Sequence, residues 1–441
     1  MAIINNIHRN SNNKLLIILN IFVILTITLI AFSIFAYGGD FTSVFSLSHK
    51  KINDNTINSL QNIEQLPNET VLIDSTDRTL ADAIANKINL LIYLTPKNSD
   101  FIISNGHWTI EQLNEKFPNI VQRISTDNAY NNSFLIKKTI IVNKDAQLDI
   151  INDNIFLESL SKKDNVPTTI ITNGKTEIIN STIRSWDTQK KTPDPNPYHP
   201  RSFIVASNGG QMDIINSTIS NLGFSQGGIH SLFSSLAGIN YYNTSNFLLS
   251  NNKIFNNLYG LLTDNASNFK IIGNDVYNHI GYGIDLLSGS KDTVIDSNHI
   301  YISGLQGIIC SHQCKNITIT NNIVDYNVEG IGLYWQTNSS NIKDNIIEYN
   351  KNTGIFIKNN SKDNIIENNK IIGNGYGIQL LNGSFNNKIK SNSIIGNILD
   401  TDGITIDEDS KSNTIKDNTI SPVCNRILLK DNTCKQTFKE E

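Results

Sequence analysis

"GYGIDLLSGS", residues 281–290, decides the fold because its pattern returns along the second half of the chain. Related stretches are "LQGIICSHQC", "VEGIGLYWQT", "NTGIFIKNNS" and "GYGIQLLNGS". One glycine of this pattern recurs after 23, 24, 23, 24, 23 and 26 residues, at Gly260, Gly283, Gly307, Gly330, Gly354, Gly377 and Gly403. A regular period of this size indicates stacked structural repeats.

Each repeat contains two or three short alternating segments, such as "NKIIGN" followed by "GIQLLN", with Asn or Gly at the corners. Alternation of this kind is typical of strands, and Asn and Gly tolerate the left-handed backbone of tight corners. We therefore predict an all-β right-handed parallel β-helix with about 23–24 residues per coil and coils roughly 4.8 Å apart. A leucine-rich repeat would need a leucine consensus that is missing here.

The N-terminal region predicts a membrane anchor. Residues 15–37, "LLIILNIFVILTITLIAFSIFAY", carry no charge and are long enough to cross a bilayer, and Arg9 and Lys14 precede them. A cleavable signal peptide is the alternative, but its apolar core is usually only about 7–15 residues long. We predict a cytoplasmic segment 1–14, a single-pass anchor 15–37 in the cell membrane, and an extracytoplasmic remainder.

The rest of the chain divides around the repeats. "TIEQLNEKFPNIVQRI", residues 109–124, has the pattern of an amphipathic helix that caps the solenoid. We predict a stalk and small α/β capping segment at 38–130, the β-helix at 131–420 and a tail at 421–441. Two irregular stretches, "TQKKTPDPNPYHP" and "SLFSSLAGINYYNTS", are interpreted as insertions, and long loops on a solenoid commonly build its binding face.

Four cysteines fit an oxidising compartment. Cys424 and Cys434 lie in the tail and are predicted to form a disulfide. Cys310 and Cys314 flank "SHQ", which leaves open a strained local disulfide or two packed thiols. A metal site there would lack a fourth ligand, so no metal is predicted.

Charge and composition limit the classes of partner and cofactor that we predict for this chain. The net charge of −4 and the pI of about 6.1 argue against a nucleic-acid partner. No cofactor is predicted; a Ca²⁺ site at "LDTDGITIDEDS", residues 399–410, is the alternative to an acidic solvated turn. Glycosylation sequons, which predict a glycoprotein if the host glycosylates, begin at Asn180, Asn216, Asn265, Asn316 and Asn382.

Strand alternation also predicts which side chains face outward. The first residue after each coil glycine should point into the bore, and the second and fourth should point to solvent. With the following corner, this gathers six candidates on one face, namely Asp264, Asp285, His312, Tyr334, Trp335 and Lys358. Exposed aromatics suit sugar rings, and the ionisable groups suit acid–base chemistry. Alternatively, the acids are solvated strand residues and the histidine and lysine ordinary surface residues.

From about residue 100 onward the chain resembles the mannuronan C5-epimerase family. The carrying stretches are "HWTIEQLNEKFPN", "RSWD", "RSFIVASNGGQMDIINSTISNLGF", "YGLL", "YGID" and "GIICSHQC". The resemblance implies a β-helix enzyme that inverts uronate residues in alginate-type polymers. It also implies a histidine base in an Asp-Pro-His-Asp motif after Tyr-Gly-Ile, and an arginine one coil later that neutralises the substrate carboxylate.

The chain departs from this motif at its chemical centre. Tyr282 and Asp285 match, whereas Leu286, Leu287 and Ser288 replace the proline, the histidine and the second aspartate, and His312 stands in the arginine position. Proton abstraction at C5 needs both a base and charge neutralisation. The catalytic candidates are therefore Tyr282, Asp285 and His312, and the substrate-binding candidates are Asp264, Tyr334, Trp335 and Lys358.

Four functions are compatible with these features. Our prediction is a membrane-anchored extracytoplasmic protein that binds or modifies cell-surface polysaccharide, with the question of catalysis left open because the family's base and arginine are missing. The alternatives are an epimerase or lyase rewired around Asp285, His312 and Lys358, and a glycosidase using Asp264 and Asp285, which would need a defined carboxyl separation. A copper-handling accessory protein is the fourth, although two Met and eight scattered His give it few ligands.

Overall fold

The computed structural model describes residues 97, 100–124, 132–159, 167–198, 200–225, 235–399 and 402–421. The predicted anchor at 15–37 and the predicted Cys424–Cys434 disulfide lie outside these residues. Among the helices of the described ranges, none combines the length and apolarity needed to span a bilayer.

Each coil contributes up to three strands, so the chain forms three columns of stacked parallel strands, with a few antiparallel exceptions at its irregular segments. Strands β1 (Phe101–Thr109) and β4 (Ile140–Ile151) run through the corner between the first two columns, which therefore form one 22-stranded sheet. The remaining strands of the first column are β6 (Thr169–Thr172), β10 (Phe203–Ser207), β15 (Ile239–Tyr242), β18 (Leu261–Asp264), β21 (Ile284–Leu287), β24 (Gln306–Ser311), β27 (Glu329–Tyr334), β30 (Thr353–Lys358), β33 (Tyr376–Leu381) and β36 (Ile404–Ile406).

The second column continues the same sheet around the corner. Its remaining strands are β7 (Lys175–Ile179), β11 (Gln211–Ile215), β16 (Leu248–Ser250), β19 (Lys270–Ile272), β22 (Lys291–Asp296), β25 (Lys315–Thr320), β28 (Asn341–Lys343), β31 (Ile365–Glu367), β34 (Lys388–Lys390) and β37 (Thr414–Lys416).

The third column is a separate 14-stranded sheet. It comprises β2 (Val121–Arg123), β3 (Ser133–Ile136), β5 (Asn154–Glu158), β8 (Thr182–Asp187), β9 (Thr192–Pro193), β12 (Thr218–Ser220), β17 (Lys253–Phe255), β20 (Asp275–His279), β23 (His299–Ser303), β26 (Ile323–Asp325), β29 (Ile346–Glu348), β32 (Lys370–Ile372), β35 (Ser393–Ile395) and β38 (Thr419–Ser421). A short antiparallel pair, β13 (Phe224–Ser225) and β14 (Ser235–Leu236), lies outside the columns.

The register confirms the period read from the glycines. Ile284 pairs with Ile308, which pairs with Ile331 and then Ile355, and all four are fully buried. The bore is therefore a continuous core of stacked Ile, Leu and Val. Each such side chain contributes about 1.5–3 kcal/mol by leaving water. The fold is a parallel β-helix, as predicted.

A buried asparagine ladder closes the corner between the second and third columns. Its rungs are Asn252, Asn274, Asn298, Asn322, Asn345, Asn369, Asn392 and Asn418. From Asn274 onward, each Oδ1 accepts the backbone N–H and the side-chain Nδ2–H of the preceding rung, at 2.8–3.0 Å. The ladder thus satisfies buried polar groups that the strand pairing leaves over.

The capping helix is shorter than predicted. Helix α1 spans Ile110–Lys116 and begins with a capping box between Thr109 and Gln112, and its Ile110 and Leu113 are fully buried. The predicted helical stretch to residue 124 is wrong beyond this point, because Pro118 disfavours helical geometry at Phe117 and the chain resumes as strand β2. The parallel ladder already begins at β1, which pairs with β4.

One of the two predicted insertions is partly regular coil. Ile239–Tyr242 is strand β15, in register between β10 and β18, and Gly238 precedes Gly260 by 22 residues. Tyr241 points into the bore and stacks on Phe247 at 3.6 Å between ring centroids. An aromatic side chain at a position where neighbouring coils hold Ala206, Thr263 and Leu286 concealed this strand in the sequence.

The proline-rich insertion does leave the coil, as expected. After β8 the chain turns back as β9, which pairs antiparallel with β8. The buried Arg201 then ties this region to the next coil: its Nε donates to the Gly223 carbonyl at 2.8 Å and its Nη2 to the Leu222 carbonyl at 2.9 Å.

Replacing one rung of the ladder tests its contribution. Asn369→Ala removes the acceptor of two buried Asn345 donors and a donor to the Ile342 carbonyl, so we expect a loss of about 2–4 kcal/mol in unfolding free energy. The matched control is the neighbouring Asn368→Gly, since Asn368 is exposed with φ 56° and glycine tolerates that angle. Urea unfolding followed by circular dichroism measures both; equal losses would contradict a special role for the ladder.

Candidate functional site

The outer face of the first column carries the candidate residues. We call "outer face" the side chains of β15 to β33 that point away from the bore, together with the corner residues that follow these strands. Asp285 pairs with Leu262 and Ile309 on the adjacent strands, and Asp264 pairs with Leu287. Further along, Tyr334 pairs with Lys358. The residues that the glycine spacing aligns from coil to coil are therefore the residues that pair on adjacent strands of the structure.

The prediction that all these side chains face solvent is wrong. Asp264 is 2% exposed, Asp285 5% and His312 7%, whereas Tyr334, Trp335 and Lys358 are half-buried. Strand alternation specifies only that a side chain points away from the bore. A second apolar cluster lies there, formed by Ala237, Leu258, Tyr259 and Leu262 with Tyr282 packed against it.

Asp285 is held as a buried carboxyl group beside a second acid. Burial, and then the charge of Asp264, raise its pKa to about 8. Its Oδ1 has no hydrogen-bond partner among the described residues. Asp285 is therefore protonated at neutral pH and has the character of a proton donor rather than of a base.

Tyr242 is a member of this group that the sequence reasoning missed. It pairs with Asp264 in register, is 4% exposed, and its pKa is raised to about 12 by burial and by the charge of Asp264. The spacing of Gly238 was the available signal, since it continues the glycine period by one coil. Tyr282 is half-buried, with its ring edge-on to Tyr259 at 5.1 Å.

His312, Tyr334 and Trp335 form an aromatic cluster at the corner after the first column. The His312 ring stacks on Trp335 at 5.7 Å and meets Tyr334 edge-on at 6.4 Å. His312 and Trp335 have φ values of 60° and 50°, a left-handed geometry that other coils give to Asn265, Ser288, Asn359 and Asn382. Trp335 is an outlier in this geometry, whereas histidine is among the residue types enriched in it, and backbone outliers concentrate at functional positions.

Lys358 does not reach the acids. Its Nζ lies 4.5 Å from the centroid of the Phe356 ring, and it makes no ion pair with any described residue. The far edge of the Phe356 ring lies against Gly332, where a Cβ would stand only 2.2 Å from the ring Cζ. The glycine therefore makes the space that seats this aromatic–cation pair on the outer face.

The cysteines beside the site are two packed thiols. Cys310 and Cys314 are unbridged and fully buried, and the Cys314 Sγ donates to the Leu286 and Ser311 carbonyls at 3.3 and 3.2 Å. Burial, with Cys314 as neighbour, raises the pKa of the Cys310 thiol well above its usual range. No cluster of three metal-ligating side chains occurs within the described ranges.

The acidic stretch near residue 405 uses one of its carboxylates structurally. Asp407 accepts the backbone N–H groups of Asn382 at 2.6 Å and Ser410 at 3.0 Å. Its two oxygens are thus engaged by the turn.

Comparison with known proteins supports the fold. The family model described as "Right handed beta helix region" matches residues 169–341, 238–394 and 306–437, which together span more than half of the chain. The periplasmic alginate epimerase AlgG has a similar structure, with a TM-score of 0.62, 18% identity, and coverage of 73% of this chain and 85% of that one. A point mutant of the same epimerase gives a TM-score of 0.61, 18% identity, and the same coverage of 73% and 85%.

A further solved structure with similarity is the Azotobacter vinelandii mannuronan C-5 epimerase AlgE6 A-module, with a TM-score of 0.44, 12% identity, and coverage of 77% and 94%. No curated protein matches the sequence at a significant level. At 18% identity, the similarity to AlgG establishes a shared fold.

The protonated state of Asp285 predicts a pH-dependent stability difference. The unfolded carboxyl titrates near 3.8 and the folded one near 8, so stability is lost as pH rises between these values. Asp285→Asn lacks this titration and should gain stability relative to the native protein by up to about 1.4 kcal/mol per pH unit between pH 5 and 7.

Urea unfolding of both proteins at several pH values measures the difference. Asp344→Asn, which removes an exposed carboxylate, is the control for the surface charge. A pH-independent advantage of Asp285→Asn would show that Asp285 is ionised in the folded protein.

Proposed function

The chain belongs to the right-handed β-helix family, and on this premise we propose that it binds a polysaccharide on the outer face of the first column. The corner cluster of His312, Tyr334 and Trp335 carries the proposal. Aromatic rings offer apolar faces to the C–H faces of sugars, and large aromatics left partly exposed commonly mark binding sites. A corner that other coils build from unstrained Asn or Ser holds a histidine and a tryptophan here.

The neighbouring side chains supply polar contacts beside the rings. The Asn359 Nδ2 lies 3.5 Å from the Tyr334 hydroxyl. On β30, the strand next to that of Tyr334, the Lys358 side chain extends over the Phe356 ring. Successive coils repeat at roughly 4.8 Å, so an extended polymer running along the solenoid meets an equivalent position on each coil. Asp264 is buried, so it would contact such a chain only after the side chains that separate it from solvent had moved.

The structural neighbour AlgG is an alginate epimerase by its description, which supports polysaccharide as the class of ligand. Binding is favoured over C5 epimerisation because Leu287 occupies the position expected for the base and His312 that expected for the arginine. Among the six outer-face candidates the permanent cation is Lys358, and its ammonium group is held against Phe356 rather than beside the acids.

Modification of the bound polymer is a second candidate, favoured by Asp285. A buried, protonated carboxyl group beside the Asp264 carboxylate is the arrangement that donates a proton to a leaving oxygen. In this role Asp285 is the acid; Tyr282 precedes its strand, β21, and His312 follows the adjacent strand, β24.

We further propose that residues 15–37 anchor the chain in the membrane, with the β-helix outside the cytoplasm. Membrane fractionation and protease protection of the full-length protein test this proposal.

Trp335→Asn tests the binding proposal. Asparagine stands at the equivalent corner of other coils, so the substitution should preserve folding while weakening polysaccharide affinity about tenfold. Affinity electrophoresis through gels containing polymannuronate or a neutral polysaccharide measures the retardation. Phe385→Asn is the control, because Phe385 is a 38% exposed aromatic that lies two coils from Trp335 and three residues beyond the equivalent corner position, Asn382. Equal retardation of wild type and Trp335→Asn would refute binding at this corner.

Incubation with polymannuronate in deuterated water tests C5 chemistry. With Leu287 in place of a base, we expect NMR to detect neither deuterium at C5 nor unsaturated chain ends. Deuterium incorporation that disappears in His312→Ala or Asp285→Asn would contradict this and establish a rewired epimerase or lyase.

A further inference from the structure

The corner between the third and first columns contains a second set of strained, exposed side chains. In successive coils this corner is occupied by Asn256, Asn278, Ile302, Tyr326, Tyr349, Gly373 and Gly396, with φ values of 56°, 56°, 54°, 53°, 53°, 59° and 67°. Asn and Gly accept this left-handed geometry, whereas a β-branched or aromatic residue is an outlier in it. Three consecutive coils therefore keep a residue type that the backbone disfavours.

Burial does not explain these three residues. Ile302 is 51% exposed, Tyr326 58% and Tyr349 47%. A strained residue that also leaves much of its apolar surface in water gains little for folding, so its retention points to contact with another molecule. We call Ile302, Tyr326 and Tyr349 the corner ridge.

Neighbouring residues hold the side chains of the ridge in place. The rings of Tyr326 and Tyr349 stack with centroids 5.5 Å apart and planes inclined by 22°. On the next coil the ring of Tyr349 lies against Gly373, where a Cβ would come within 2.9 Å of it. Gly373 therefore gives this ring its place, and the ridge runs along the solenoid axis across three coils.

The size of the ridge argues against a folded protein partner. Three half-exposed side chains in a single line offer roughly 300 Å², against about 800 Å² on each side of a stable protein interface. A narrow line of rings is instead suited to a linear polymer that lies along it. The phenol hydroxyls provide hydrogen-bonding groups at the same positions.

Local charge selects among linear polymers. The segments that carry the two tyrosines also carry Glu329 and Glu348, against one cation, Lys351, while Asp325 beside Tyr326 is nearly buried and paired with His299 at 2.9 Å. This excess of acids disfavours polyanions such as nucleic acids and polyuronates. We propose that the corner ridge binds a neutral polysaccharide chain running along the solenoid axis.

This surface is distinct from the one in the proposed function. The ridge residues precede the strands of the first column, whereas His312 and Trp335 follow them, so the two lie at opposite edges of that column. The corner ridge therefore stands or fails independently of the His312–Trp335 corner.

The double variant Tyr326→Asn/Tyr349→Asn tests the proposal. Asparagine is the residue that other coils use at this corner, so the unfolding midpoint should stay unchanged or rise as strain is relieved. Affinity electrophoresis of the full-length protein uses gels containing galactomannan, a β-1,3-glucan, hydroxyethyl cellulose or polymannuronate. We expect at least one neutral polymer to retard the wild type, and the double variant to bind it about tenfold more weakly.

Phe385→Asn and Trp335→Asn accompany the double variant. Phe385→Asn should match the wild type. Weaker binding of a neutral polymer by the double variant alone supports the ridge and leaves the Trp335 corner without support. Weaker binding by Trp335→Asn alone overturns the ridge and supports the proposed function. The ridge proposal is also overturned if no neutral polymer retards the wild type, if only polymannuronate does, or if the double variant changes only the sedimentation coefficient.

Discussion

The buried asparagine ladder is the interaction on which the coil geometry depends. A solenoid must turn its chain three times per coil, and at each turn backbone N–H groups leave the strand ladders and enter the interior. An unsatisfied buried donor costs about 1–3 kcal/mol, so such a corner must offer an acceptor in every coil. The side chain of Asn322, for example, accepts both the N–H and the Nδ2–H of Asn298 and donates to the Ile295 carbonyl.

This arrangement separates positions that must repeat from positions that are free to vary. The bore requires apolar side chains, most of them Ile, Leu or Val, and the ladder requires Asn or a close equivalent. The left-handed corner residues need only tolerate φ near 55°, for which Asn, Asp, Ser or Gly suffices. Trp335, Ile302, Tyr326 and Tyr349 depart from this rule. Since nothing in the backbone requires bulky side chains there, we infer that they are kept for what they contact.

Burial turns the acids of the outer face into a different chemical system from the one that their sequence suggests. In water, Asp264 and Asp285 would both be carboxylates. In the folded protein, burial and then the charge of Asp264 raise the pKa of Asp285 to about 8, so Asp285 takes up a proton. A protonated carboxyl group thus stands at the aspartate that the family resemblance matches, while Leu287 stands where that resemblance leads one to expect the base.

The sequence by itself determined the β-helix, its period and the strand register, because a repeated pattern of Gly, Ile and Asn leaves a single way to satisfy bore and corners in every coil. It also identified that the side chains of Asp285, Tyr334 and Lys358 point away from the bore, since alternation is a local property. The sequence pattern did not predict strand β15, in which the aromatic side chain of Tyr241 points into the bore, and it predicted a helix that continues past Pro118, where α1 has already ended. Only the tertiary structure decided which outward side chains are covered and which corners hold strained aromatics, because both depend on contacts between distant segments and on φ angles that the letters do not encode.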